Sequence, residues 1–327
     1  MSKPRIGFLG VGWIGRHRMQ AMLATGAVEA IAIAEPDDGA AAEALAMAPG
    51  AVRAEGLEGI LAAGVDGVVI ATPSALHAEQ TITALNAGVA VFCQKPLGRT
   101  AAEVGAAVAA ARAADRLLSV DLSYRYTAGM AAIRPLLAEG ALGRVFAADL
   151  TFHNAYGPDK PWFYDVAQAG GGCVMDLGVH LVDLALWALG WPEVEAVESR
   201  LLAGGAPLAS PDRTEDFAVA TITLASGAVV RLACSWRLAA GQDAVIAADF
   251  YGTEGGAALR NVGGSFYDFT AERFRGTARE VLASPPDDWG TRAAADWAVR
   301  LAAGERFSAE AERLVTVAQV LDRIYGR

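Results

Sequence analysis

Short apolar runs and alanine-rich helical stretches alternate over the first third of the chain. Arg5-Ile6-Gly7-Phe8-Leu9 is a compact apolar run, the pattern of a buried strand. Residues 16–25 have helical composition and stop at Gly26. A second apolar run, 28–34, precedes a helix over 37–47, a weak strand near Val52 and a short helix over 57–62. Gly67-Val68-Val69-Ile70-Ala71 is again continuously apolar and breaks at Thr72-Pro73-Ser74. A helix over 75–87 closes at Gly88, and a strand over 89–93, a helix over 101–114 and a strand over 117–121 follow. Unbroken apolar strands separated by helices predict an α/β domain over residues 1–121, built on a doubly wound parallel sheet. Ligands of such a sheet lie at the carboxyl ends of its strands.

After Asp121 the rhythm changes. A helix over 129–139 leads to an alternating strand over 145–153, an aromatic, Gly- and Pro-rich loop over 156–164, and Gly170-Gly171-Gly172 opening a helix to 189. Strands are expected over 194–201, 216–224, 228–237 and 244–251. In the third of these Val230, Leu232, Cys234 and Trp236 alternate with Val229, Arg231, Ala233 and Ser235. That period of two predicts a second, α+β domain over 122–327 with an open, mostly antiparallel sheet. Helices near 291–302 and 309–325 close the chain, and 203–212 and 284–288 read as loops. A sheet with few helices to cover both faces predicts a homodimer or homotetramer.

Gly10-Val11-Gly12-Trp13-Ile14-Gly15 joins the first strand to the first helix. That context gives G-x-G-x-x-G its meaning as a Rossmann nucleotide site. Gly10 permits the tight turn, Gly12 leaves a pyrophosphate room, and Gly15 lets helix and strand pack closely. The helix start, with Trp13 and Ile14, offers N–H groups and a positive dipole end to phosphate. Glu35 ends the second strand about twenty residues on, where a ribose-binding acid is expected. With Asp37 and Asp38 near by, and no Arg or Lys before Arg53, NAD is preferred over NADP.

Composition narrows the partners. A formal net charge of -10 argues against nucleic acid or an anionic membrane. Cys93, Cys173 and Cys234 fit neither a disulfide framework nor a zinc site and read as small buried hydrophobes. No metal-ligand spacing appears. Residues 1–4 lead straight into the first strand, and no apolar run is read as long enough to span a bilayer, so a cytoplasmic location is expected.

Two places carry chemistry. Lys95 directly follows a buried strand, and Pro96 restricts its backbone, so a cation is aimed at the ligand crevice. A lysine there can donate to a substrate hydroxyl or carbonyl oxygen. On the helix after the glycine triplet, Asp176, His180, Asp183 and Trp187 fall on one face. That face is expected to border a polar cavity, and a carboxylate one turn from a histidine can orient it. Arg125, His153 and Trp162 are candidates to line the substrate pocket.

The motifs resemble those of the glucose–fructose oxidoreductase / inositol dehydrogenase (Gfo/Idh/MocA) family. The resemblance covers nearly the whole chain. It rests on Gly10–Gly15, Ala71-Thr72-Pro73-Ser74 with His77, Gln94-Lys95-Pro96, and Gly170-Gly171-Gly172 leading to Asp176 and His180. It implies a catalytic trio of Lys95, Asp176 and His180, and places Thr72, Pro73, His77 and Gln94 near the cofactor. The family usually reads Glu-Lys-Pro where this chain reads Gln94-Lys95-Pro96, so the lysine is kept and the acid beside it is gone. The implied activity is NAD-dependent hydride transfer with a sugar, inositol or related polyol, in a site between the two domains. The alternatives are a non-catalytic nucleotide-binding sensor, and an enzyme that uses bound NAD transiently for elimination or glycoside cleavage.

Overall fold

The computed structural model describes residues 2–327. Contacts divide the chain into two compact units that change over between Asp121 and Leu122.

The first unit alternates strand and helix as the apolar pattern predicts. Its strands are β1 (Arg5–Leu9), β2 (Glu29–Ala34), β3 (Val52–Arg53), β4 (Gly67–Ile70), β5 (Ala90–Cys93) and β6 (Leu118–Val120). Its helices are α1 (Trp13–Ala24), α2 (Asp38–Met47), α3 (Gly56–Ala62), α4 (Ser74–Asn86) and α5 (Ala101–Ala114). The sheet is parallel, in the order β3-β2-β1-β4-β5-β6. Every residue of β4 and β5 is buried, which is why their sequences show no alternation. The strand order reverses between β1 and β4, so the crevice for a ligand opens at their carboxyl ends.

The second unit holds α6 (Ala128–Ala138), β7 (Val145–Asn154), the one-turn α7 (Val166–Ala169) and α8 (Val179–Ala188). It continues through β8 (Val194–Ala203), β9 (Ala206–Pro207), β10 (Phe217–Leu224), β11 (Val229–Ser235) and β12 (Ala244–Gly252). Three further strands follow: β13 (Gly256–Asn261), β14 (Phe269–Arg275) and β15 (Ala278–Ala283). They form one sheet, β15-β14-β13-β12-β7-β11-β10-β8-β9, in which the only parallel neighbours are β7 and β11. Val230, Leu232 and Cys234 are buried, so the alternation read in β11 is its inward face, and Ser235 and Trp236 are both buried where the strand ends. The last three strands escaped the pattern for physical reasons. Five glycines between 252 and 264 interrupt the run, and β15 is exposed along most of its length.

Two expectations are corrected. The second domain does not run unbroken to 327: Thr291–Val315 belongs to the first unit. Its helix α9 (Arg292–Ala302) buries Trp297 with its ring 5.9 Å from that of Phe92, and a side chain on Gly67 would come within 2.7 Å of Trp297. The helix α10 (Glu312–Tyr325) then passes from the first unit to the second. Second, one helical run, Val166–Ala188, does have the length and hydropathy to cross a membrane. It is mostly buried inside the second unit, the condition of a core helix.

Candidate functional site

In the first unit the turn after β1 is built by three glycines for three different reasons. Gly10 has a φ of +84°, and a Cβ there would lie 2.5 Å from the Ala71 carbonyl oxygen. A Cβ on Gly15 would collide with the Gly10 carbonyl. Gly12 faces open space, with no atom within 4 Å of a Cβ placed on it. It is also the N-cap of α1, with no side chain capping the free N–H groups that follow. The space and the donors are what a pyrophosphate needs, so the residues fit a dinucleotide. Trp13 and Ile14 are exposed at that helix start.

Glu35 leaves the end of β2 and accepts hydrogen bonds from Val11 N–H (2.7 Å) and Asp37 N–H (3.0 Å). The carboxylate is half-buried, locked to the glycine turn and open to solvent on its remaining side. Arg53, remote in sequence, is carried here by the pairing of β3 with β2. It donates to the Glu35 carbonyl (3.1 Å) and pairs with Asp38 (2.6 Å). Sequence reasoning missed this cation because only strand pairing brings it close.

The ends of β4 and β5 are tied together by His77. Its Nδ1 lies 2.7 Å from the Pro96 carbonyl and its Nε2 2.7 Å from the Thr72 carbonyl, and the ring is buried. Burial pulls its pKa below 6.5, against the two carbonyls, which favour the charged form. Thr72 also donates to the Gln80 side chain (2.6 Å), and Pro73 is the N-cap of α4. Lys95 follows β5, half-buried, with a cis peptide to Pro96. Gln94 turns inward and donates to Asp121 (2.7 Å).

In the second unit the glycine triplet opens a π-helical turn, Val174–Gly178, that runs into α8. No periodicity in the sequence signals the extra residue of a π-turn, and such turns gather at functional sites. The turn is held by Glu215, which sequence reasoning missed altogether. This carboxylate is 1% exposed and accepts from Gly172 N–H, Val174 N–H (2.8 Å) and the Tyr325 hydroxyl (2.8 Å). Burial raises its pKa, opposed by those hydrogen bonds.

Asp176 accepts from Trp236 Nε1 at 3.0 Å. The inward parity of Trp236, just past β11, was legible, but not its partner. His180 meets the edge of Tyr124 at 5.0 Å between ring centroids. Burial and the Asp176 charge push the Tyr124 phenol up, so it stays protonated. The cavity against this side of His180, lined by Tyr124, Phe152, Leu184 and Ile246, is only about 10 Å³. That is about one water, so the ring is packed on this side.

The helix face carrying Asp183 and Trp187 does not border an open cavity. A 3₁₀ turn, Ser123–Tyr126, covers it. Arg125 donates to both Asp183 oxygens, one at 2.7 Å, and stacks over Trp187 and Trp191. Asp183 is 2% exposed. Arg125 is therefore engaged in a buried ion pair rather than turned to a ligand. His153 is separated from His180 as well. Phe152 points into the core, so His153, its neighbour on β7, points to the other face of the sheet. There it lies 2.8 Å from Ser235 Oγ and stacks on Phe217. Trp162 stacks on Phe163 at 3.8 Å, and Phe163 and Tyr164 both meet the edge of Trp236, so this loop packs on the residue that holds Asp176. All three cysteines are free and buried, and burial raises the Cys93 thiol to about 12. Among the described residues no group of three His, Cys, Asp or Glu is placed to hold a metal.

Comparison with known proteins agrees with this geometry. Residues 4–122 match the oxidoreductase family model with an NAD-binding Rossmann fold, and 130–258 match the GFO/IDH/MocA C-terminal domain. The chain belongs to the GFO/IDH/MocA oxidoreductase family. It is 33% identical over 200 residues to a 1,5-anhydro-D-fructose reductase of Ensifer adhaerens, covering 61% of this chain and 58% of that protein. It is 29% identical to an inositol 2-dehydrogenase of Rhizobium meliloti, covering 79% and 76%. Several of the matches to curated relatives span only 52–60% of the relative's length. The structure of a levoglucosan dehydrogenase complexed with NADH and levoglucosan superposes with a TM-score of 0.84 at 25% identity, covering 99% of this chain and 97% of that one.

Proposed function

We propose that this protein is an NAD-dependent dehydrogenase acting on a hydroxyl-bearing carbon of a sugar, an inositol or a related polyol. The observation that carries the reading is the turn after β1: an open Gly12, uncapped N–H groups and the Glu35 carboxylate side by side. NAD bound there supplies the acceptor for a hydride from the substrate carbon. His180 takes the hydroxyl proton as that hydride leaves, and Lys95 donates a hydrogen bond to the reacting oxygen. Asp176, fixed by Trp236, positions His180. Trp162 offers a ring face to the sugar.

The choice of lysine supports its role. Only Lys3, Lys95 and Lys160 are lysine among the 27 basic residues. Arginine serves elsewhere, and the first basic side chain after β5 is the type that can release a proton. NAD is preferred because the Glu35 carboxylate would repel a 2′-phosphate and the Arg53 charge is met by Asp38. The chain works in the cytoplasm, in keeping with three cysteines whose number and spacing fit no disulfide framework. It assembles as a homodimer or homotetramer through the open face of its large sheet. That face exposes Val219 and Tyr251 beside the Asp149–Arg231 and Asp249–Arg260 pairs, and light scattering gives the mass.

The purified protein, assayed with a panel of sugars and inositols, should form NADH with at least one of them, and titration should show tighter NAD than NADP. His180→Ala and Lys95→Ala should each lower kcat by about a hundredfold or more while NAD affinity barely changes. Asp176→Asn should cost less. Near wild-type turnover in both alanine variants would defeat the assignment.

A further inference from the structure

Two buried side chains and one half-buried one in the first unit are joined in a line that the mechanism above does not use. Arg18, from the second turn of α1, donates through Nε to Asp121 Oδ2 at 2.6 Å. Gln94, at the end of β5, donates through Nε2 to the same oxygen at 2.7 Å. Asp121 is 2% exposed, and its own N–H donates to the Cys93 carbonyl at 3.0 Å, which fixes it beside the end of β5. One end of the line is the helix that starts in the glycine turn after β1. The other end is the residue before Lys95.

We propose that Asp121 is the positioning residue for Lys95. It clamps the lysine-bearing strand end to the nucleotide helix through Arg18–Asp121–Gln94, and position 94 is an amide because a second acid cannot share the buried oxygen of Asp121. The proposal rests on the reading that Lys95 touches the substrate.

The chemistry of the pair supports it. A carboxylate accepts and an amide N–H donates, so Gln94 and Asp121 are complementary. Two acids 2.7 Å apart would have to hold a proton between them, as carboxylate pairs do. Arg18 can neutralise one of them, not both. A fixed arm matters here because a misplacement of about 1 Å in a reacting group can cost a hundredfold in rate. Among the groups facing Asp121 are Arg18 from α1 and Cys93 and Gln94 from β5. Of these, the Cys93 thiol is held protonated by burial, so it does not titrate near neutrality.

The test is a charge exchange in the full-length protein. We would measure kcat, KM for a polyol substrate, NAD affinity by fluorescence and thermal stability from pH 6 to 9. The proteins are wild type, Gln94→Glu, Asp121→Asn and the double exchange. Gln94→Glu should lower kcat about tenfold at pH 9 and much less at pH 6, where the two acids share a proton. KM should move little. The double exchange again places one acid against one amide, and should recover kcat to within about threefold with the pH dependence gone. A Gln94→Glu protein as active as wild type at every pH would overturn the proposal, as would a folded double variant no better than the worse single one. If the double variant does not fold, Arg18→Gln decides: an unchanged kcat overturns the clamp, and a lowered kcat at constant KM supports it. Lys95→Ala separates this from the broader reading. If that variant keeps full turnover, Lys95 is not the catalytic group, whatever residue 94 does.

Discussion

Glu35 accepts hydrogen bonds from Val11 N–H and Asp37 N–H, and Glu215 accepts them from Gly172 N–H and Val174 N–H. Each carboxylate thus pins a glycine-rich turn at the start of a helix, one in each unit. The surroundings differ. Glu35 is half-buried and keeps a side open to solvent, whereas Glu215 is sealed and its last donor is the Tyr325 hydroxyl. The first carboxylate has bonding capacity left for a ribose; the second has spent its capacity inside the protein. Acid plus glycine turn is therefore not by itself a sign of a ligand. Exposure decides which role the pair plays, because a sealed carboxylate must be satisfied by the chain itself.

The comparison breaks most easily on stability. Glu215→Ala should destabilise the protein by about 3–5 kcal/mol, because it strands buried N–H and O–H donors that cost about 1–3 kcal/mol each. Glu215→Gln keeps an accepting oxygen and should lose about half as much. Glu35→Ala leaves its donors to water and should cost about 1 kcal/mol or less, while NAD affinity falls about tenfold. Urea denaturation reads the first quantity and fluorescence titration the second. Equal stability losses at 35 and 215 would show that burial is not the difference between them.

How far each carboxylate could be read from the sequence follows the same division. Glu35 was legible because its partners are local: strand, glycine turn, helix and acid come in a fixed order within about thirty residues. The place of Lys95 in the chain was legible because an unbroken apolar strand ends two residues before it. Glu215 lies 43 residues from Gly172, and only the sheet brings them together, so no spacing announces it. Asp176 and His180 were read as a pair from helical spacing, while their neighbours Trp236 and Tyr124 were not read with them. The helix face was read too broadly. Asp183 belongs to Arg125, and a turn of chain covers it. Alternation showed β7 and β11 clearly, yet the same rule places His153 on the opposite face from Phe152, so it does not join His180. The strands β13–β15 were missed where glycine and exposure erase the period of two.

A smaller effect separates two glycines of one turn. Gly10→Ala meets a positive φ and a carbonyl 2.5 Å away, and should cost about 2 kcal/mol. Gly12→Ala meets nothing within 4 Å and should leave stability within about 0.5 kcal/mol. It should nevertheless weaken NAD binding several-fold, because the new methyl occupies the space kept for phosphate. If Gly12→Ala bound NAD as wild type does, the open side of the turn would not be the phosphate site.

The smallest effect concerns His77, whose ring ties the Thr72 and Pro96 carbonyls. Burial holds its folded pKa below 6.5, so at pH 8 both folded and unfolded chains carry it neutral. As pH falls below about 6.5, the unfolded chain takes up a proton that the folded chain resists, and stability drops until the folded pKa is passed. The slope is at most about 1.4 kcal/mol per pH unit for one group. His153, also lowered by burial, adds a loss of the same sign. Asp183 and Glu215 are raised by burial and oppose it, since the folded chain binds their protons more readily as pH falls. A His77→Gln variant keeps those three groups. It should start with a lower Tm at pH 8, because Gln cannot fill the buried place of the ring between the two carbonyls with the same packing. From pH 7 to 5 its Tm should then fall less than that of wild type, by about 2 °C. Parallel melting curves for the two proteins across that range would mean that His77 does not resist its proton, and that the tie between the two strand ends is made by the charged ring.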